Sequence, residues 1–346
     1  MADQDGWSLP LHFGDAAAEY GAVRAAAGIF DLSDRALLAF EGADRVSFLQ
    51  GMISNDARAL SPGQGLDAAF LNQQGKILAD CRVLCEDDRF VIDLWEPLKP
   101  KILEHLNRYL VADEVEIRDL SEAYGLLSLQ GPASSRLLQP FGDGLSMPRN
   151  PLDHLVADIA GVEAHVVHYS HTGEEGFDFF VPAGSLAAFA RALAREGEPH
   201  GVRWVGTQAQ EVLRVEAGIP RYGADMSEEN ILLETGLNRA VSFTKGCYLG
   251  QEIIERVRSR GHVNKKLLGL LLEGSNPAPR GAPVIAPGKQ AGVVTSSVIS
   301  PRLKQPIALA YVHRDFWTPG TALAVRLGPE EVPARVTSLP FPSSPA

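Results

Sequence analysis

Cysteine is scarce in this sequence, with three in 346 residues. So few thiols build no disulfide framework, and an odd number suits free thiols in a reducing compartment. Long apolar runs are missing too: nowhere do the about 18 consecutive apolar residues of a membrane-spanning helix occur. The opening MADQDGWSLP has neither a positive segment nor an apolar one after it, so no secretory signal is expected there. A cytoplasmic protein that does not span a membrane is the expectation. Positive charge is in deficit, 32 Lys plus Arg against 43 Asp plus Glu. That balance argues against a general polyanion-binding surface and confines any nucleic-acid contact to a local patch. Walker A, G-x-G-x-x-G and G-x-S-x-G motifs are all absent, which removes common phosphate-loop, dinucleotide and serine-hydrolase signatures.

What is present is apolar material for several cores. At 45% hydrophobic content, 346 residues exceed what one core organises, since single cores stop growing at about 250 to 300 residues. Residues 16–27 are rich in helix formers; a strand is predicted around Ala36 to Phe40 and a helix from Arg45 to Gly51, capped by Asp44. LDAAFLN, KILADCRVLCE and RFVIDLW read as strands of an antiparallel meander, and Pro97 to Val111 as an amphipathic helix. VEIRDL, YGLLSLQG, VEAHVVHYS and FDFFVP supply strands of a second α+β unit, with helices at 132–139, 184–195 and 206–216 and a further one from Leu249 to Val257. Past Lys266, dense Pro and Gly and short β-rich runs predict a small all-β domain, ending in the tail PFPSSPA.

The most distinctive string is Lys245-Gly246-Cys247-Tyr248-Leu249-Gly250-Gln251-Glu252. A thiol near a helix N-terminus feels the positive end of the dipole and Lys245 adds a cation, so both favour the reactive thiolate. Seen alone, a free cysteine is more often a small buried hydrophobe. The eight residues, however, match a signature of the YgfZ family, and the chain resembles those folate-binding proteins of the glycine-cleavage T-protein superfamily. AEYGAVRAAAGIFDLSD, YSHTGEEGFDFFVP and LRVEAGIPRYGADMSEENILLETGL extend the likeness over most of the chain.

The resemblance implies a three-domain α+β fold, with ferredoxin-like antiparallel sheets and a C-terminal β-barrel-like domain around a central cavity. Its parts would be a discontinuous folate-binding domain (1–50 with 122–240), an inserted α+β domain carrying the Cys247 motif (51–121 with 241–264), the barrel (265–340) and a tail (341–346). It also implies tetrahydrofolate or a folate derivative as ligand, with Glu216 on the pterin; an ionised carboxylate can accept two adjacent N–H donors of the pterin edge. Tyr169 and Glu174 are further candidates for the same cavity, and a turn-stabilising task is equally open to both. The aminomethyltransferases of the superfamily place a catalytic Asp shortly after the strand matching FVIDLW. Here that stretch reads Glu96-Pro97-Leu98-Lys99-Pro100-Lys101, so folate binding without that reaction is expected, with Glu96 keeping the enzyme alternative open.

The basic run Arg256, Arg258, Arg260, His262, Lys265 and Lys266 stands out in an acidic protein. It is either a solvated face or a site for an anion such as a folate polyglutamate tail or RNA phosphate. His165, His168 and His171 cannot converge on a metal from one strand, because successive residues alternate faces. Cys81 and Cys85 share a strand face about 13 Å apart, too far for a disulfide. The leading expectation is therefore a monomeric, tetrahydrofolate-binding accessory protein for iron–sulfur cluster assembly or repair, linked to tRNA modification. Its partners would be iron–sulfur proteins or assembly factors, with Cys247 as its thiol and Lys245 beside it. The alternatives are an aminomethyltransferase-like one-carbon transferase and a noncatalytic adaptor for RNA or protein.

Overall fold

A computed structural model describes residues 2–4, 7–141, 147–261 and 263–342. His262 and all but the first two residues of the expected tail lie outside them. The chain divides into two compact units. One comprises residues 1–73, 78–210 and 239–251, and the other 74–77, 211–238 and 252–346.

The first unit opens with a hairpin of β1 (Ala2–Gln4) and β2 (Trp7–Leu9). Next come α1 (Ala16–Ala25), β3 (Gly28–Asp31), β4 (Arg35–Glu41), α2 (Arg45–Met52), β5 (Gly65–Leu71), β6 (Ile77–Cys85), β7 (Phe90–Trp95) and α3 (Lys99–Asn107). They are followed by β8 (Glu116–Asp119), β9 (Tyr124–Gln130), α4 (Ser134–Leu138), β10 (His154–Ile159), β11 (Val162–His168), β12 (Gly176–Pro182), α5 (Leu186–Gly197) and β13 (Arg203–Val205). The strands form a five-stranded sheet, β5-β6-β7-β4-β8, and a six-stranded one, β10-β11-β12-β9-β3-β13. All the described pairings are antiparallel except β13 against β3.

The chain changes sheets between β3 and β4, inside the stretch expected as one piece from 1 to 50. Asp31 turns it there, its carboxylate accepting from the Ser33 backbone N–H at 2.9 Å, the side-chain-to-backbone bond that makes Asp a turn former. Asp15 caps α1 by accepting from Ala17 and Ala18 N–H. Asp44 does stand before α2, but its carboxylate accepts from Glu114 N–H at 2.9 Å and makes no cap bond. The outer face of the six-stranded sheet packs Leu127, Leu129, Phe177 and Phe179 against Leu137 of α4 and Phe189 and Leu193 of α5. Truncating such a fully buried Phe to Ala costs about 3–5 kcal/mol.

The second unit carries most of α6 (Thr207–Glu216) and α7 (Gln251–Arg260), the latter starting two residues later than predicted. Its barrel is built from β14 (Lys265–Leu272), β15 (Pro283–Ala286), β16 (Lys289–Ser300), β17 (Gln305–His313), β18 (Ala322–Leu327) and β19 (Glu330–Thr337), closed in the order β14-β17-β16-β15-β18-β19. Leu270, Val284, Ala308, Ala310 and Val325 fill its interior, as small and branched side chains must in so narrow a barrel. Outside, Leu267, Ile307, Leu309 and Tyr311 bury Val212 and Val215 of α6. Among the described residues, no helix is long and apolar enough to cross a membrane.

Candidate active site

The two sheets of the first unit meet through charged side chains. On β6 the side chains of Asp80, Arg82 and Leu84 share one face, and Arg82 on that face lies opposite Asp93 of β7 in register. The Arg82 guanidinium forks between Asp93 of its own sheet and Asp178 of β12 in the other. Arg35 of β4 holds Asp93 from a second side. Asp178 also accepts from His171 Nε2, with both oxygens within 2.9–3.1 Å, and faces Ser128 of β9 in register. Asp93 and Asp178 are fully buried. Burial alone would raise Asp178, but the charges of His171 and Arg82 outweigh it and hold the carboxyl well below the usual range. Burial likewise opposes the charge on Arg82, and Asp93 and Asp178 more than restore it. Two arginines and two aspartates thus compensate one another.

Beside this compensated knot stand two further acids, both half-buried, Asp80 and, on the adjacent strand β5, Asp67. Burial pushes both above the ordinary carboxylate value. Asp80 is raised further by the charges of Asp67 and Asp93, with Arg35 opposing. For Asp67 the opposing groups are Arg239, whose Nη2 lies 3.4 Å from the carboxylate, then Arg82 and the phenol of Tyr169. Carboxyl groups raised towards working pH, close enough to feel each other's charge, are equipped to take up and release a proton.

Of the residues singled out in the sequence, Tyr169 belongs to this cluster. The Arg82 guanidinium lies 4.4 Å from its ring centroid and the His171 ring meets it edge-on at 4.9 Å. Glu174 pairs with Arg24 at 2.6 Å and its N–H reaches Thr172 Oγ1, which ties a turn. Glu216 ends α6 in the second unit, where it is fully buried, accepts from Ser300 Oγ and lies 3.7 Å from Arg302 Nε. Gly218, at φ +69°, closes that helix.

Lys245 is buried, and its ammonium donates to the carbonyls of Gln50, Ile53 and Asn55 at 2.7, 2.8 and 2.7 Å. Burial lowers it to about 8, while three carbonyl acceptors suit the ammonium form. Its donors are thus committed to backbone carbonyls. Cys247 is exposed, in the irregular segment before α7. In the basic run, Arg256 pairs with Glu252 and Arg258 with Glu255 along α7. Lys265 and Lys266 lie over the rings of Tyr311 and Trp317. The Arg260 side chain, like His262, falls outside the described residues.

An acid was sought after FVIDLW, and Glu96 there pairs with Lys99 at 3.4 Å. The acids of the cluster lie within the strands themselves. Asp67 interrupts LDAAFLN, Asp80 and Arg82 interrupt KILADCRVLCE, Asp93 interrupts FVIDLW and Asp178 interrupts FDFFVP. A charged residue at a strand position flanked by apolar neighbours was the available signal, since burying it demands a partner.

Comparison with known proteins agrees with this architecture. The chain matches the family model of the GCVT N-terminal domain over residues 1–245 and that of the glycine cleavage T-protein C-terminal barrel domain over 265–342. An aminomethyltransferase of Rubrobacter xylanophilus is 36% identical over 342 residues, covering 99% of this chain and 90% of the relative. One from Nostoc sp. is 33% identical, covering 97% and 90%. The crystal structure of glycine cleavage system aminomethyltransferase T from Bartonella henselae matches with a TM-score of 0.89 at 27% identity, over 99% of this chain and 94% of that one.

Proposed function

The chain belongs to the glycine-cleavage T-protein family, and on that footing we propose that it transfers a one-carbon unit from an aminomethyl or methyl donor to tetrahydrofolate. The observation that carries this reading is the pair Asp67 and Asp80, half-buried and raised beside a charge-compensated knot. Such a transfer needs a carboxylate beside the reacting nitrogen to handle its proton. The apparent loss of that carboxylate made an accessory role the leading expectation; with Asp80 and Asp67 in hand the objection falls. The names of the curated relatives point the same way.

The donor set fits a folate. The half-buried carboxylates of Asp67 and Asp80 can accept from N–H groups of a pterin, and Arg239, 70% exposed, offers a guanidinium to a carboxylate. Asp80 would give or take the proton on the reacting nitrogen, while the Arg82 knot keeps the strands that carry the acids in fixed register. Glu216, offered as a pterin ligand by family likeness, is fully buried in the second unit and accepts there from Ser300. Calorimetric titration with tetrahydrofolate, followed by turnover of an aminomethyl or methyl donor, tests the reading. Binding with turnover is expected, and absence of binding sinks it.

Exposed Cys247 within its eight-residue motif favours a second reading, an accessory role in iron–sulfur cluster maintenance. That role requires that Cys247→Ala leave tetrahydrofolate binding intact and lower iron–sulfur enzyme activity in cells lacking the native gene. The basic run, if it holds a polyglutamate tail or RNA phosphate, would give binding that weakens steeply with added salt.

A further inference from the structure

The loop between β11 and β12 carries an imidazole whose two nitrogens meet different surroundings. His171 Nε2 lies 3.1 and 2.9 Å from the two oxygens of Asp178, which is fully buried and also bound by the Arg82 guanidinium. The ring is 18% exposed, and no group holds Nδ1 among the described residues. The loop fixes the ring. The His171 N–H donates to Gln130 Oε1 at 2.9 Å; Gln130 is fully buried, and its Nε2 donates to Ser128 Oγ and the Tyr169 carbonyl at 2.8 and 2.9 Å. Glycine at 176 leaves room for that amide, into which a Cβ would run. Ser170 Oγ donates to the Glu174 carbonyl at 2.5 Å, and the Tyr169 ring meets the imidazole edge-on at 4.9 Å. An ionised carboxylate only accepts, so Nε2 keeps its hydrogen and the proton that His171 gains and loses is the one on Nδ1. A ring nitrogen set in this way by a buried carboxylate behind it is the arrangement of a base and its orienter.

We propose that His171 is a further catalytic residue, its Nδ1 taking the proton that the attacking nitrogen of tetrahydrofolate gives up, with Asp178 as the positioning residue that fixes the ring. This rests on the reading of the chain as a one-carbon transferase. The lone pair of the folate nitrogen forms the bond to the transferred carbon; its N–H bond then breaks, the electron pair staying on nitrogen and the proton passing to Nδ1. The donor's leaving group departs with the electron pair of its bond to that carbon and takes a proton from Asp80. Burial suits Asp80 to giving, because it raises the carboxyl, and the charges of Asp67 and Asp93 add to this against Arg35. The imidazolium formed at His171 meets the Asp178 carboxylate at once, while Glu174 of the same loop is already paired with Arg24 at 2.6 Å. Both groups belong to one seam, since Asp80 and Arg82 project from the same face of β6 about 7 Å apart and Arg82 reaches Asp178. Water at the exposed ring edge then removes the proton from His171, and Asp80 regains one from water, so that both end each turnover as they began.

The test compares His171→Gln with the wild-type full chain, because the glutamine amide can still donate to Asp178 but has no nitrogen that titrates. Turnover should fall by a factor of about 10² to 10⁴, and the acid limb of kcat/KM should change shape as the His171 step is lost. Tetrahydrofolate affinity should stay within about threefold, the split expected of a group used in the transition state. A loss of less than about tenfold, or one that leaves the acid limb as in wild type, overturns the proposal. Should His171→Gln not fold, nitrogen-15 NMR of histidine-labelled wild-type protein decides the matter. The His171 signal, assigned through its own backbone, must show hydrogen on Nε2 throughout, with Nδ1 the nitrogen that titrates and the one that moves when tetrahydrofolate binds. Titration at Nε2, or an Nδ1 signal that tetrahydrofolate leaves in place, overturns the proposal. A wild-type chain without turnover would refute the proposed function and the task of His171 with it, whereas turnover that survives His171→Gln would refute the task of His171 alone.

Discussion

Arg82 in the first unit and Arg214 in the second are both buried, and each is forked between two carboxylates. Arg214 donates to Asp225 and Glu211, and in addition to Ser296 Oγ and the Ile219 carbonyl. Asp225 then accepts from Arg221 N–H, Thr295 Oγ1 and Ser296 Oγ. Every partner of that knot is a protein group, and it joins α6, the loop after it and β16. The Arg82 knot is compensated in the same way, but Asp67 and Asp80 stand half-buried at its edge with raised protonation. A buried ion network that closes on itself specifies a structure; one bordered by half-buried acids of raised protonation is equipped for chemistry.

The largest effect that would break this comparison is on folding. Arg82→Ala and Arg214→Ala should each lose about 3–5 kcal/mol of stability in denaturant unfolding, because each takes a guanidinium from fully buried carboxylate, Asp93 and Asp178 in the first case and Asp225 in the second. If either is tolerated within about 1 kcal/mol, the two knots are not alike. Asp80→Asn sharpens the difference. Turnover should fall by a factor of about 10² to 10⁴, with stability at neutral pH equal to wild type or higher.

The sign for Asp80 follows from its raised value in the folded protein. The native state keeps a proton that the unfolded chain has released, so this contribution is present at pH below the unfolded value and is lost as pH rises through the folded one. Asp80→Asn should therefore flatten the decline of stability over that range.

Glu86 behaves in the opposite sense. Burial would raise it, but hydrogen bonds and charge from His165 and Arg89 bring it to about 2. Its contribution is present above the unfolded value near 4.5 and lost as pH falls through about 2. Thermal midpoints of wild type and Glu86→Gln should converge as pH falls through that interval. The smallest effect is expected for Cys247→Ser, an exposed position whose replacement should change stability by no more than about 0.5 kcal/mol. In the transferase reading it also leaves turnover unchanged.

Much of the architecture was legible because periodicity reports burial directly. β6, β7, β12 and the barrel strands β16, β17 and β18 lie where alternating or continuous apolar runs placed them, and α5 and α6 where their helix formers did. The sheet change between β3 and β4 was not legible, since a turn at Asp31 looks the same whichever sheet the next strand joins. The candidate site was half legible for a related reason. Tyr169 was found through a contiguous motif, whereas Asp67, Asp80, Arg82 and Asp178 come from three strands and acquire meaning only through partners across the seam. Asp44 illustrates the limit at small scale: its place before α2 was read correctly, but its hydrogen bond goes to residue 114, a partner no local pattern reveals.

The three carbonyls that surround Lys245 belong to residues 190 to 195 positions earlier in the chain. Synthesis runs from the N-terminus, so the turn at residues 50–55 emerges and waits, its carbonyls hydrated, until the lysine that will gather them has been made. The first unit therefore cannot close in the order in which it is made. Its third stretch must find those carbonyls across a long separation in sequence, at a correspondingly high cost in folding speed.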